Sequence, residues 1–452
     1  MIKAMKFGGT SVGSERALRN VLSVIQEDKG SQKAIVVSAM SGVTNTLIAL
    51  MSEERRASDA FFDELLWKHT SAVKSMMPED SLADLETKLR VRVSGLRHAV
   101  ECYREPAARA TLHDSISSWG ERLSSLTLAS LLKANGVDAL AMTSEEAGMV
   151  ALGSQGNGTA DLEATARNFK RSLLPLLQQG KTVVLTGYYG CDLEGRPLTF
   201  GRGGSDYSCS VVGYALDADA IEIWTDVDGF MSADPRVVPE ARTIREMDYG
   251  EAAELAYFGA KVLHPRTIEP ARKKRIPVKV KNTFQPQDEG TSISDSRSNG
   301  GSLLKSVAVK SDLAVVKVYS SEIVYNPGLV MRLLAAVSEN GSSAYAISTS
   351  LSTLAFAVPS SSARTICERL QRSGEEVEKV TVREHVALVC AVGDDLIGHT
   401  GAAAQIFGEA ARVEANIEMI SEGASDVSLN FVVPSEKANE VVRNLHSKFI
   451  GA

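Results

Sequence analysis

The chain has 452 residues, 44% hydrophobic and 23% charged, with a formal net charge of −7. That length suits roughly two to four domains with ample core, and the acidic balance argues against a nucleic-acid binder. Five cysteines without CxxC spacing argue against a disulfide framework, and no His/Cys group has zinc-ligand spacing. MIKAMKFGG lacks an apolar leader and no apolar run reaches membrane-spanning length, so the expectation is a cytoplasmic protein with neither membrane nor nucleic-acid partners.

Residues 1–7 alternate polar with apolar and predict a strand entering the turn Gly8-Gly9. A helical face follows at Leu18, Val21, Leu22 and Ile25, and residues 33–39 (KAIVVSA) form a compact buried-strand run. Strand, Gly turn, helix and strand open an α/β layer fold with a parallel sheet, whose ligands bind at the carboxyl ends of the strands. Residues 50–110 are nearly free of Gly and Pro and predict two or three amphipathic helices. At 117–123 (SSWGERL) a cap leads into another helix, where Glu121 is either an exposed first-turn carboxylate or a ligand for an ammonium group.

Residues 182–187 predict a strand, 191–197 a turn or hairpin, and 200–206 (FGRGGSD) a second Gly-Gly turn that opens a small-residue helix at 207–216. A strand at 220–224 ends at Thr225-Asp226, and a loop covers 227–238. A helix at 249–263 ends at His264-Pro265, with Lys261 either a dipole cation or a functional group. Residues 276–281 predict the last strand of this unit. The run Arg272–Arg275 (RKKR) reads as a solvated helix end.

The polar, Gly/Ser-rich stretch around 286–302 marks a boundary, and an internal repeat follows it. Residues 313–318 with 326–360 align with 386–391 with 399–435, sharing a strand, a Gly (Gly328, Gly401), an Ile-Ser pair and a closing F-x-V-P-S. Each copy reads βαββ followed by a helix, which suggests two small ferredoxin-like modules suited to binding or assembly. The expected domains are 1–285, a linker at 286–304, and a tandem pair at 305–452, divided as 305–380 with a C-terminal strand and 381–435.

The turns KFGGTSV (6–12) and FGRGGSD (200–206) each join glycines, hydroxyls and a cation. One such turn is commonly only a tight bend, whereas two point to phosphate handling, because glycine lets backbone approach a ligand closely. Lys6, Arg202 and Lys261 supply positive charge; Asp206 and Asp226 supply carboxylates. Phosphoryl transfer needs cations over developing charge, backbone donors and a metal held largely by the nucleotide. GxxxxGK[ST], protein-kinase and GxGxxG signatures are absent. The residues alone predict a small-molecule phosphotransferase with a C-terminal ligand module.

The segments KFGGTSV, VVSAMSGVTN (36–45), WGERLS (119–124), FGRGGSDYS (200–208), WTDVDGFMSADPRVVPEA (224–241) and FGAKVLHP (258–265) resemble the aspartate kinases of the amino-acid kinase superfamily. The repeat resembles their tandem ACT modules. The resemblance implies a three-layer α/β/α kinase domain followed by two βαββαβ modules, and phosphorylation of the side-chain carboxylate of L-aspartate by ATP at the entry to lysine, threonine and methionine synthesis. It implies catalytic roles for Lys6 and Asp206. Ser38, Ala39, Thr44, Glu121, Arg202 and Ser205 would bind aspartate, with Glu121 on the ammonium group and Arg202 forked onto the α-carboxylate. Gly8 and Gly9 would donate N–H groups to phosphate, Thr225, Asp226, Met231, Arg236 and Lys261 would bind the nucleotide, and Mg²⁺ would be held through the phosphates without dedicated protein ligands. It further implies a homodimer or higher homo-oligomer through the ACT modules, with an amino-acid effector there.

Three residues depart from the family pattern. Met231 stands where members often carry Tyr, Tyr345 where lysine-sensitive members carry an acid, and Glu422 in ISEGAS where an amide is usual. The last two lead us to expect a weak or altered effector response. Two rival readings are a kinase for another acidic amino acid such as glutamate, and an amino-acid sensor without turnover.

Overall fold

A computed structural model describes residues 1–52, 58–259, 262–295, 302–338, 343–396, 398–421 and 425–451. The chain forms two compact units. The first comprises Met1–Phe230, Arg245–Tyr249 and Val262–Ser296; the second comprises Met231–Ile244, Gly250–Lys261 and Arg297–Ala452.

The first unit is built on one sheet in the order Glu246–Asp248, Thr291–Ser294, Val278–Asn282, Ala220–Thr225, Ile2–Phe7, Gln32–Val37, Thr182–Thr186, Ala139–Met142. From Val278–Asn282 to Ala139–Met142 all neighbours are parallel, and the inner strands are apolar on both faces, as helix-covered parallel strands must be. Register places the strand ends level: Phe7 lies beside both Val37 and Trp224, and Val37 beside Thr186. The residues that follow, Gly8, Ser38, Thr225 and Gly187, therefore emerge along one edge.

The helices follow the sequence closely. Ser14 caps Glu15–Glu27 by accepting from Ala17 N at 3.3 Å, and Ala17, Leu18, Val21, Val24 and Ile25 are buried along one face. Within 50–110 the described residues form Asp59–Ser71, Glu79–Cys102 and the start of Pro106–Ser117. Two expectations need correction. The stretch 286–304 is not all linker, because Thr291–Ser294 pairs antiparallel with Val278–Asn282 and buries Ile293. The helix expected to run through 263 ends at Phe258, before Gly259 at φ 152°.

His69, on Asp59–Ser71, is fully buried. Its Nδ1 lies 3.1 Å from Thr127 Oγ1, while Nε2 has no partner among the described residues. Thr127 donates its own proton to Leu123 O, so Nδ1–H is the donor to Thr127 and Nε2 is left neutral and dry. Burial pushes the imidazole down to about 3, so stability is complete above its ordinary value of 6.5 and is lost as pH falls toward 3. The loss from this residue is expected to be about 2 kcal/mol at pH 5. His69→Leu is expected to flatten the fall of Tm between pH 7 and 4, which thermal melts across that range would check.

In the second unit one antiparallel sheet runs Ala346–Thr349, Thr353–Pro359, Ser306–Tyr319, Lys379–Val392, Ser428–Pro434, Met419–Ser421. Helices Pro327–Ser338 and Ser360–Gln371 belong to the first copy, and Ala402–Arg412 and Ser435–Phe449 to the second. This is the duplicated βαββα pattern, but the copies interleave. The two central strands bend at Asp312 and His385, both at positive φ, and Ser306–Lys310 pairs with Leu388–Val392 while Val315–Tyr319 pairs with Lys379–Arg383. The boundary expected at 380/381 thus falls inside one continuous strand. Tyr345 packs its ring 5.5 Å from that of Tyr257 and 4.7 Å from Lys310 Nζ. Glu422 lies outside the described residues.

Candidate active site

The first Gly turn is shaped by close packing. A side chain at Gly9 would put Cβ 2.6 Å from Ala39 O, and one at Gly8 would put it 3.1 Å from Lys6 Nζ. Ser11 Oγ, 2.7 Å from Thr283 Oγ1, ties the turn to the residue that follows Val278–Asn282, two strands away in the sheet. Lys6 is 7% exposed and its Nζ lies 2.6 Å from Asp206 Oδ1. One expectation fails here: the Gly8 N–H donates to Trp224 O at 3.1 Å and is committed to the sheet, not to a phosphate.

The second turn needs its glycines for conformation. Gly201 and Gly203 sit at φ 73° and 69°, and Cβ at Gly203 would come within 2.2 Å of His264 Cβ. The helix Gly204–Ala215 starts there with Asp206 in its first turn, where the helix dipole favours a carboxylate. Gly213 lets that helix lie directly on Ile221.

Glu121 opens the helix Trp119–Ala134, seated against the loop after Gln32–Val37 because Gly120 leaves room for Ala39. The residue is 3% exposed and Oε2 has no partner among the described residues. Burial pushes its carboxyl up to about 8, only partly offset by the backbone N–H groups of Ala39 and Glu121 and by the charge of Arg122. Arg122 itself is turned away into an ion pair with Glu145, which also accepts from Tyr189 OH at 2.6 Å.

A cavity of about 710 Å³ brings together Lys6, Gly9, Ser38, Ala39, Thr44, Glu121, Arg202, Ser205 and Asp206. Arg202 is exposed at this wall and has no partner among the described residues. Gly8, Thr225 and Asp226 stand outside the lining, on the same strand edge, with Thr225 Oγ1 3.3 Å from Asp226 Oδ1. Met231 and Arg236 belong to the second unit and do not line this cavity: Met231 Sδ accepts from Thr243 Oγ1 at 3.5 Å, and Arg236 pairs with Asp234. Lys261 lies outside the described residues.

Sequence reasoning missed Tyr188 and Gly156, which also line the cavity. Tyr188 is held at φ 77°, an outlier for an aromatic residue, and its carbonyl accepts from Phe200 N at 2.8 Å. Nothing in the run TGYYG signals this; the Tyr188 main chain packs against the second Gly turn, where a Cβ at Gly204 would lie 3.0 Å from Tyr188 O.

An amino acid kinase family model matches residues 1–282 and an ACT domain model residues 389–449. Lysine-sensitive aspartokinase 3 of Escherichia coli K12 is 32% identical over 459 residues, spanning 99% of this chain and 98% of that one. A chloroplastic bifunctional aspartokinase/homoserine dehydrogenase of Daucus carota is 30% identical over 98% of this chain and 50% of its own length. The chain thus spans about half the length of the bifunctional relatives it matches. Crystal structures of E. coli aspartokinase III with aspartate and ADP, and with lysine and aspartate, match at TM-scores of 0.84 and 0.82 and identities of 30% and 29%, covering 99% and 100% of this chain and 99% of each of theirs. The chain belongs to the amino acid kinase family, among the aspartokinases that carry ACT modules.

Proposed function

We propose that the protein is an aspartate kinase, transferring the terminal phosphoryl group of ATP to the side-chain carboxylate of L-aspartate to give 4-phospho-L-aspartate and ADP. The observation that carries this is Glu121: a buried carboxylate with an unpartnered oxygen, in a cavity whose other charged groups are Lys6, Arg202 and Asp206. Such a carboxylate calls for a cation from the ligand. Glu121 takes the α-ammonium group and Arg202 the α-carboxylate, which leaves the side-chain carboxylate for Lys6. Lys6 stands over the phosphoryl group in transfer, and Asp206 holds its ammonium in place. Ser38, Ala39, Thr44 and Ser205 line the acceptor, while Gly9, Thr225 and Asp226 face the nucleotide. We also assign nucleotide roles to Gly8, through the space it leaves beside Lys6, and to Met231, Arg236 and Lys261. Among the described residues, the acids on these turns and strand ends are Asp206, paired with Lys6, buried Glu121, exposed Asp226, and Asp228, which accepts from Asn282 Nδ2; so few free carboxylates suit Mg²⁺ held mainly by phosphate oxygens and water. When bound, the metal neutralises phosphate charge.

An acceptor panel tests the reading. ADP release is expected with L-aspartate and to fall by about a hundredfold or more with succinate, which lacks the ammonium, and with β-alanine, which lacks the α-carboxylate. Equal rates with succinate would remove Glu121 from its role.

In the second unit, exposed Val324, Tyr325, Met331 and Leu351 support homo-oligomerisation through the first ACT copy, which a native mass determination would check. The packing of Tyr345 against Tyr257 and Lys310 supports a weak or altered effector response. Millimolar lysine or threonine is expected to leave most of the activity intact, and strong inhibition by either in a titration of the purified enzyme would contradict this.

A further inference from the structure

Asp114, on the helix Pro106–Ser117, is a carboxylate buried to 2% exposure, and it does not line the cavity. Its Oδ2 accepts from Gly156 N and from Thr199 N, each at 2.8 Å, and its Oδ1 lies 3.2 Å from His113 Nδ1. Its backbone carbonyl accepts from Ser118 N at 3.2 Å. The carboxylate thus joins two separate segments, of which Gly156 lines the cavity, while Ser118 is bonded through the Asp114 main chain alone. Gly156 is at the tip of the hairpin formed by Ala151–Ser154 and Asn157–Ala160, Thr199 ends the strand that leads to Arg202, and Ser118 is the N-cap of the Glu121 helix.

A second brace works on the hairpin from another side. Arg266 donates to Gly158 O at 2.9 Å, to Thr159 Oγ1 at 2.7 Å and to Phe200 O at 3.4 Å. The hairpin tip approaches so closely that Cβ at Gly201 would lie 3.0 Å from Gly156 O.

Building on the aspartate-kinase reading, we infer that Asp114 is a positioning residue that sets the separation of Arg202 and Glu121. These two groups must meet the α-carboxylate and α-ammonium of one amino acid at once. A small relative shift of the two weakens acceptor binding without touching the phosphoryl end of the site. The carboxylate suits the task because one oxygen accepts two backbone N–H groups from segments distant in sequence, and charge strengthens both bonds.

The test is steady-state kinetics of Asp114→Ala, Asp114→Asn and Arg266→Ala. Asp114→Ala is expected to raise the aspartate KM by about tenfold while kcat and the ATP KM stay within about threefold. Asp114→Asn keeps one acceptor oxygen for both N–H groups and is expected to recover most of the loss. Arg266→Ala, which cuts the other brace, is expected to show the same selective rise in aspartate KM, and keeps the inference testable if Asp114→Ala fails to fold. An unchanged aspartate KM in both Ala variants, or a parallel loss in kcat and in both KM values, would overturn it. Wild-type protein without turnover on aspartate would instead overturn the underlying kinase reading.

Discussion

Replacing Lys6 with Met is expected to lower kcat by about three orders of magnitude while the aspartate KM moves by less than about threefold. Met keeps an unbranched side chain of similar length and removes only the charge. In the intact protein the ammonium is buried and 2.6 Å from Asp206. Without it, that carboxylate stays beside the path of the phosphoryl group and repels it. The change thus withdraws one stabilising charge and exposes an opposing one, an effect confined to the transferring group. Arg202 and Glu121 are untouched, so acceptor binding should persist. Calorimetric titration with aspartate, together with kcat, would separate the two effects. A loss in kcat below about tenfold would place the catalytic charge elsewhere.

The second large effect concerns Glu121 and pH. Burial holds its carboxyl near 8, so ligand-free protein at neutral pH carries it mostly protonated. Only the ionised form attracts an ammonium group. The value of kcat/KM for aspartate is therefore expected to rise by about tenfold per pH unit toward pH 8 and to level off above it. Glu121→Gln should abolish that step and lower kcat/KM at pH 8.5 by about a hundredfold. Stability follows the same group with the sign of a raised carboxyl. Its contribution is complete below the ordinary value of 4.5 and is lost as pH rises toward 8, because the unfolded chain releases the proton first. Saturating aspartate should offset that loss by stabilising the ionised form, so the gain in Tm from aspartate is expected to grow between pH 6 and 8. A flat kcat/KM profile would contradict this.

Much of the site could be read from sequence because its chemistry is local to two turns. Lys6 and Arg202 announce themselves by their neighbouring glycines, and Brändén's rule places both turns at one sheet edge without coordinates. Glu121 was ambiguous, since exposed first-turn carboxylates are common; only its burial and unpartnered oxygen separate the readings. Asp114 and Tyr188 were invisible for a different reason. Each acts through backbone groups of distant segments, and neither pattern leaves a mark in its own neighbourhood. The same limit explains the modular half. Repeat matching found both copies, but the cross-pairing of Ser306–Lys310 with Leu388–Val392 is a tertiary choice that no periodicity encodes. Thr291–Ser294 was lost in a Gly/Ser-rich run because a four-residue strand carries too little pattern to outweigh its surroundings. The Gly8 N–H shows the converse: the motif correctly marks the turn, yet the sheet has already taken that donor.

The most direct measurement is ATP- and Mg²⁺-dependent hydroxamate formation from L-aspartate in the presence of hydroxylamine, run beside L-glutamate. An acyl phosphate made on the aspartate side chain is trapped as its hydroxamate. The expected result is ATP-dependent product with L-aspartate and at least about tenfold less with L-glutamate, since one added methylene displaces the reacting carboxylate from Lys6. Product from glutamate at an equal or higher rate, or none from either acid, would contradict the assignment.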